Sequence, residues 1–110
     1  MKENISDGYL KAMRDAIRVD ELEFDEEIKG LISAAREELR IAGIKRVKCY
    51  DERDALIFDA VKTYVKANFG LENADRAAYV AAFEKMKQRL SLSVEYVAGD
   101  DEDEGGEGKA

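Results

Sequence analysis

The stretch DALIFDAVKTYVKANFG, residues 54–70, decides the fold. Stepped at about 100° per residue around a helix, Ala55, Leu56, Ile57, Phe58, Ala60, Val61, Tyr64, Val65, Ala67 and Phe69 fill an arc of roughly 220°. Only Asp59, Lys62, Thr63 and Lys66 occupy the remaining wedge. A helix lying on the surface of a globular domain needs an apolar stripe only about 100° wide. This stretch therefore predicts a helix covered on more than one side.

Working outward, the flanking segments repeat the helical period. Ser6 is placed to cap a first helix running to about Val19, with Leu10, Met13 and Ile17 on one face. After the acidic turn DELEFDEE, Asp25 is read as the cap of a second helix through Ala42, with Ile28, Leu31, Ile32, Ala35, Leu39 and Ala42 in helical register. Gly43 ends it in the usual left-handed stop, and acids at its start with Arg36 and Arg40 near its end suit the helix dipole. IKRVKCY, residues 44–50, is too short for a sheet and reads as a loop. Asp51 is read as the start of the third, quoted helix, and Gly70 as its end. A fourth helix from about Ala74 to Leu90 carries Tyr79, Ala82, Phe83, Met86 and Leu90 on one face.

Composition agrees with this reading. The 110 residues include no proline, 45% are hydrophobic and 39% charged, which suits helices joined by short connections. The expected fold is all-α, a small bundle of four main helices in one domain, residues 1–98. Residues 91–98 still hold Leu92, Val94, Tyr96 and Val97, whereas residues 99–110 contain nothing apolar larger than alanine. With no side chain to offset the entropy of ordering, residues 99–110 are expected to form a disordered acidic tail.

The charge is unevenly spread. Net charge is −7, but the tail holds six acids and one lysine, while residues 1–98 hold 17 basic and 19 acidic residues. A nearly balanced body argues against tight, static neutralisation of phosphates, although passing contact with DNA is compatible with it. Cys49 is the only cysteine, so no intrachain disulfide can form. No apolar signal core or membrane-length apolar run is present, so neither export nor membrane spanning is expected.

The search for chemistry returns little. Histidine is absent, which removes the commonest general base and metal ligand. Cys49 has only Lys45, Arg46 and Lys48 nearby to activate a thiol, and a lone cysteine makes no structural zinc site. Adjacent pairs such as Glu26 with Glu27, or Glu37 with Glu38, point about 100° apart and read as solvated faces. The run from Asp100 to Gly105 starts like a calcium loop, but its bidentate position would fall one residue past Ala110. Residues 51–90 can also be read as a helix-turn-helix that would offer Ala74, Asp75, Arg76 and Ala77 to a DNA groove, an unpromising set with an aspartate in it. The reading is of a protein that is not an enzyme and needs no cofactor or metal.

The run DAIRVDELEFDEEIKGLISAAREELRIAGI, then DALIFDAVKTYVKANFG, then MKQRLSLSVEY resembles the head-tail connector family of tailed bacteriophages and prophages, whose members are often labelled DNA-packaging proteins. The likeness covers residues 10–96; the acidic tail is not part of the pattern. What it implies is a structural virion protein at the head-tail interface, made in the bacterial host cytoplasm. Copies would form a cyclic homo-oligomer on the portal protein, extend the DNA channel and dock the next head-completion or tail protein. A ring needs a heterologous interface, one surface meeting a different surface of the neighbour. On that implication Ile57, Val61, Tyr64 and Val65 face the core with Ile28, Leu31, Leu39, Phe83 and Met86, while Phe58 and Phe69, or Leu56 and Ala60, face another subunit or an extra segment. The other possibility is that the quoted helix is wholly enclosed in its own subunit. Leu92, Val94 and Tyr96 are the expected portal contacts. A small helical prophage regulator or DNA-binding protein is the alternative function.

Overall fold

The computed structural model describes residues 5–71 and 73–97, and the expected tail at 99–110 lies outside them. Among the described residues there are six helices and no strand: α1 (Asp7–Ala16), α2 (Asp25–Ile41), α3 (Arg46–Cys49), α4 (Ala55–Asn68), α5 (Arg76–Ser91) and α6 (Val94–Val97). A 3-10 turn, Leu22–Phe24, leads into α2. The fold is all-α, with four helices of substantial length.

Contacts between chain-distant residues fix how these helices run. Ser6, at the start of α1, meets Glu52, and Arg14, near its end, meets Asp25 at the start of α2. Phe24 stacks edge-on against Phe69 beyond the end of α4, so the start of α2 lies beside the end of α4. Tyr96 reaches Asp54 at the start of α4, so the chain is back at the first end once α5 has run its length. The four long helices thus alternate in direction, and the bundle has two distinct ends. One holds the start of α1, α3, the start of α4 and α6. The other holds the 3-10 turn and the connection from α4 to α5.

The core sits around α4. Ile57, Ala60, Val61 and Val65 of α4 are buried with Tyr9, Leu10 and Met13 of α1, Ile28, Ile32, Ala35 and Leu39 of α2, Phe83 and Leu90 of α5 and Tyr96 of α6. Leu31, Tyr64 and Met86 pack partly buried against this cluster. The quoted helix is wide in its apolar arc because α2 lies on one side of it and α5 on another, with α1 reaching it through Tyr9 and Phe58.

Local chemistry sets the boundaries. Ser6 Oγ accepts the Tyr9 N–H at 3.1 Å and caps α1. α1 stops at Ala16, three residues before the expected end, because Arg18 turns into the left-handed region at φ 63°. Asp25 is the first residue of α2 and not its cap; the 3-10 turn supplies Phe24 for that position. Its carboxylate is taken up by Arg14 Nη1, 2.9 and 3.0 Å from the two oxygens. Gly43 and Gly70 both take positive φ, 105° and 82°, and stop α2 and α4 as expected. α4 starts later than expected, since Asp54 Oδ1 accepts the Ile57 N–H at 3.0 Å while Asp51 closes its own turn on the Arg53 N–H. Residues 44–50 are not all loop. α3 forms there because Ile44 and Cys49 are both buried under the end of the bundle, and burial outweighs the poor helix propensity of Val47 and Cys49.

Candidate interaction surface

The end of the bundle carrying α6 is built by side chains that hold the C-terminal segment down. The Lys45 N–H donates to the Tyr96 carbonyl at 2.8 Å. The Tyr96 hydroxyl donates to the Asp54 carboxylate, with its two oxygens at 3.0 and 3.1 Å. Lys48 Nζ sits 5.0 Å from the centre of the Tyr96 ring, 3.5 Å from Glu95 and 3.9 Å from Asp54. Burial, then the hydrogen bond and negative charge of Asp54, push the Tyr96 phenol up to about 12. One carboxylate therefore caps α4, anchors α6 and pairs with α3.

Anchoring Tyr96 inward leaves its neighbours outward. Leu92 is 78% exposed, Val94 74% and Ile41, on the last turn of α2, 71%. Val47 of α3 and Leu56, on the first turn of α4, are also exposed, the latter by 54%. The hydrogen bonds that Tyr96 accepts from the Lys45 N–H and donates to the Asp54 carboxylate hold α6 where α2 stops and α4 starts, which places all five side chains at one end of the molecule. Residues 40–50 supply Arg40, Lys45, Arg46 and Lys48 with no acid, and residues 85–90 supply Lys85, Lys87 and Arg89 with no acid. Acids stand beside several of these cations, Glu37 with Arg40, Glu95 and Asp54 with Lys48, and Glu84 and Glu38 with Lys87, so this end is apolar and of mixed charge.

The seven residues expected at interfaces divide accordingly. Leu56, Leu92 and Val94 are open to solvent. Ala60 is fully enclosed in the subunit's own core, and Tyr96 is buried. Phe58 and Phe69 are half-buried and already engaged, Phe58 edge-on with Tyr9 at 5.4 Å between ring centres and Phe69 with Phe24 at 5.6 Å. Ile41 and Val47 escaped the sequence reading because Ile41 continues the apolar register of α2 and Val47 lay in a stretch read as loop.

The opposite end differs. Residues 20–27 carry six acids and no base, and Leu22 and Leu71 are exposed beside them. Asn73 and Arg76 are turned back onto α4 here: Asn73 Nδ2 donates to the Lys66 carbonyl at 2.6 Å, and Arg76 donates to the carbonyls of Ala67 and Gly70. Those bonds satisfy the open carbonyls at the end of α4. Arg76, the one basic residue of the proposed DNA-reading set, is thus committed to capping.

A charged side chain also enters the interior. Arg36 is fully buried on α2, with its guanidinium 4.9 Å from the Tyr50 ring centre, 5.3 Å from that of Tyr9 and 3.7 Å from Glu52. Glu52 in turn accepts the Ser6 N–H at 2.9 Å and its hydroxyl at 2.6 Å. The set ties α1, α2 and the turn before α4 together, and it explains why Tyr9 is shifted upward by burial against the opposing pull of Arg36. Cys49 is buried and its Sγ lies 3.6 Å from the Ile44 carbonyl, an environment for a packing thiol and not a nucleophile.

Among the described residues, no cluster of histidine, cysteine, aspartate or glutamate could hold a metal ion, and no helix is long and apolar enough to cross a membrane. No curated protein and no solved structure matches the chain. A family model described as phage connector protein does match, over residues 9–97, which takes in every helix of the bundle from the second residue pair of α1 to the end of α6. The chain belongs to the phage connector protein family.

Proposed function

We propose that this connector is a structural head-tail adaptor whose copies assemble as a ring on the portal, extend the DNA channel and dock the next head-completion or tail protein. The observation that carries this reading is the apolar face made by Ile41, Val47, Leu56, Leu92 and Val94 at the α6 end, in a chain of the connector family. Five exposed aliphatic side chains gathered at one end are more than scattered surface leucines, and such patches mark protein contacts. The α6 face is assigned to the portal and the flanks of the bundle to neighbouring copies. The nearly balanced charge of residues 1–98 suits a channel wall, since a wall without net positive charge lets DNA slide. The protein acts by assembly and not by catalysis.

Electron microscopy of the purified protein at high concentration, and attachment to portal-bearing heads, test the proposal. The wild-type chain forms rings or joins the portal, and the double variant Ile41→Asp with Val94→Asp stays folded by circular dichroism but fails to attach. Equal attachment by that variant would remove the assigned face. A stable dimer that retards DNA in a gel would replace the connector reading with the regulator.

A further inference from the structure

We infer that neighbouring copies meet through the outer faces of α1 and α5, with α1 of one copy lying antiparallel against α5 of the next. This rests on the ring reading above and names the two surfaces that such a ring requires. The first observation is position. Around α4, Phe58, which meets Tyr9 of α1, and Ala67, which shares a cleft with Val80 and Phe83 of α5, point about 180° apart. α1 and α5 are therefore opposite flanks of the bundle. A head-to-tail ring joins two different faces, and because rotation about its axis leaves every residue at its own height, those faces must lie at the same level. The two flanks meet that condition, whereas the two ends of the bundle do not.

The second observation is charge in register. α1 leaves the α6 end with Asp7 at its start and Arg18 just past its end, while α5 returns towards it from Asp75 at its cap to Lys85 and Arg89 in its last turns. All five are exposed, and none forms an ion pair among the described residues. Arg18 and Asp75 of one copy stand on the two rims of a cleft over the end of α4 and do not pair across it. Set antiparallel at one level, Asp7 faces Lys85 of the neighbour and Arg18 faces its Asp75. At the helical rise, Asp7 to Arg18 spans about 16 Å and Asp75 to Lys85 about 15 Å, so both pairs close in a single register. Between those charges the outward residues are Ala77, Ala78 and Ala81 on α5 and Gly8 and Ala12 on α1, so no large side chain holds the helices apart. Lys11 and Asp15, also on the outer face of α1, neutralise each other at 3.0 Å, and Glu84, at the edge of the α5 face, is held by Lys87 at 3.1 Å.

The test uses the full-length chain, free at high concentration and attached to portal-bearing heads. Ala12→Cys and Ala81→Cys stand opposite each other in this register, and the native Cys49 is buried and does not compete. After mild oxidation, a chain carrying both changes is expected to give a ladder of dimers, trimers and larger multimers on a non-reducing gel. A mixture of the two single variants should give dimers only, and either single variant alone should stay monomeric. Gln88→Cys in place of Ala81→Cys sits about 10 Å further along α5 and should abolish the ladder. Dimers from one single variant would show a two-fold contact and overturn the inference. A missing ladder where microscopy shows rings overturns it too, and leaves the ring reading standing. With neither ladder, rings nor attachment, both fall together; a ladder without closed rings keeps the contact and removes the closure. Charge reversal adds a second readout at low salt. Lys85→Glu should raise the concentration of half-assembly roughly fivefold, and Asp7→Lys in the same chain should restore it to within about twofold of wild type. No recovery on the second change overturns the assigned register.

Discussion

Helices α4 and α5 are of similar length and lie side by side, yet they have opposite fates. α4 buries Ile57, Ala60, Val61, Thr63, Val65 and Ala67. α5, with 16 residues, buries only Phe83 and Leu90. The difference is one of side-chain size and of neighbours. α4 has α2 and α5 on different sides, so branched residues around most of its circumference find partners. Much of the apolar content of α5 is Ala77, Ala78, Ala81 and Ala82, which satisfy a helical pattern but bring little area to bury, and its outer face looks to solvent. The wide apolar arc that opened the sequence reading is thus spent mostly inside the subunit. Of its large aliphatic residues only Leu56, on the first turn, stays open, and it joins Ile41, Val47, Leu92 and Val94 at the α6 end.

The largest test of this contrast compares one residue from each helix. Ile57→Ala removes three methyl-sized groups from a side chain that is 1% exposed, and a cost of about 2–5 kcal/mol is expected, seen as a lower midpoint in urea without a change in slope. Val80→Ala, on the partly open face of α5, is expected to stay within about 0.5 kcal/mol of wild type. Similar losses for the two would mean that α5 is as enclosed as α4 and that the contrast is false.

A smaller effect separates the two ends of α4. Tyr96→Phe deletes the hydrogen bond to the Asp54 carboxylate, which still receives the Ile57 N–H and the charge of Lys48. About 1–2 kcal/mol of destabilisation is expected, near the low side for a bond to a charged group. Amide exchange should quicken at Lys45, whose N–H binds Tyr96, and remain slow at Phe69, at the far end of α4. The same site gives a pH signature. The folded-state value for Tyr96 is raised to about 12, against about 10 for an unfolded tyrosine. Folding therefore holds the phenolic proton more tightly, so its contribution is complete below about pH 10 and is lost as pH rises from there towards 12. Wild type and Tyr96→Phe should converge in stability over that interval; a constant gap would show that the hydroxyl does not face the carboxylate.

How much of this was visible in the sequence follows from what each residue depends on. The four long helices, the glycine stops at 43 and 70 and the cap at Ser6 were legible because they rest on periodicity and local backbone chemistry. The short α3 and α6 were not, because Cys49 and Tyr96 become helical only when burial at the bundle end secures them. Arg36 was assigned to a helix dipole on local grounds, whereas its true surroundings, the rings of Tyr9 and Tyr50, come from 27 residues before it and 14 after. The exposure of Leu92 and Val94 was reachable because leucine and valine beyond the last periodic residue have little core left to enter. Ile41 was not, since nothing in its spacing tells the last buried turn of α2 from the first open one.

The smallest effect on stability is expected at Leu56, next to Ile57 on the same turn. Leu56→Ser exchanges a side chain that is already half in water, so folding should change by no more than about 0.5 kcal/mol, most of it helix propensity. Its consequence should appear in assembly instead, with weaker attachment to portal-bearing heads at unchanged thermal stability. Neighbouring residues would then answer to different demands: Ile57 to the fold, and Leu56 to a surface that the fold leaves open. A stability loss near that of Ile57→Ala would place Leu56 inside the subunit after all, and α4 would have no outward role. Unchanged stability with unchanged attachment would confine docking to α6 and the end of α2.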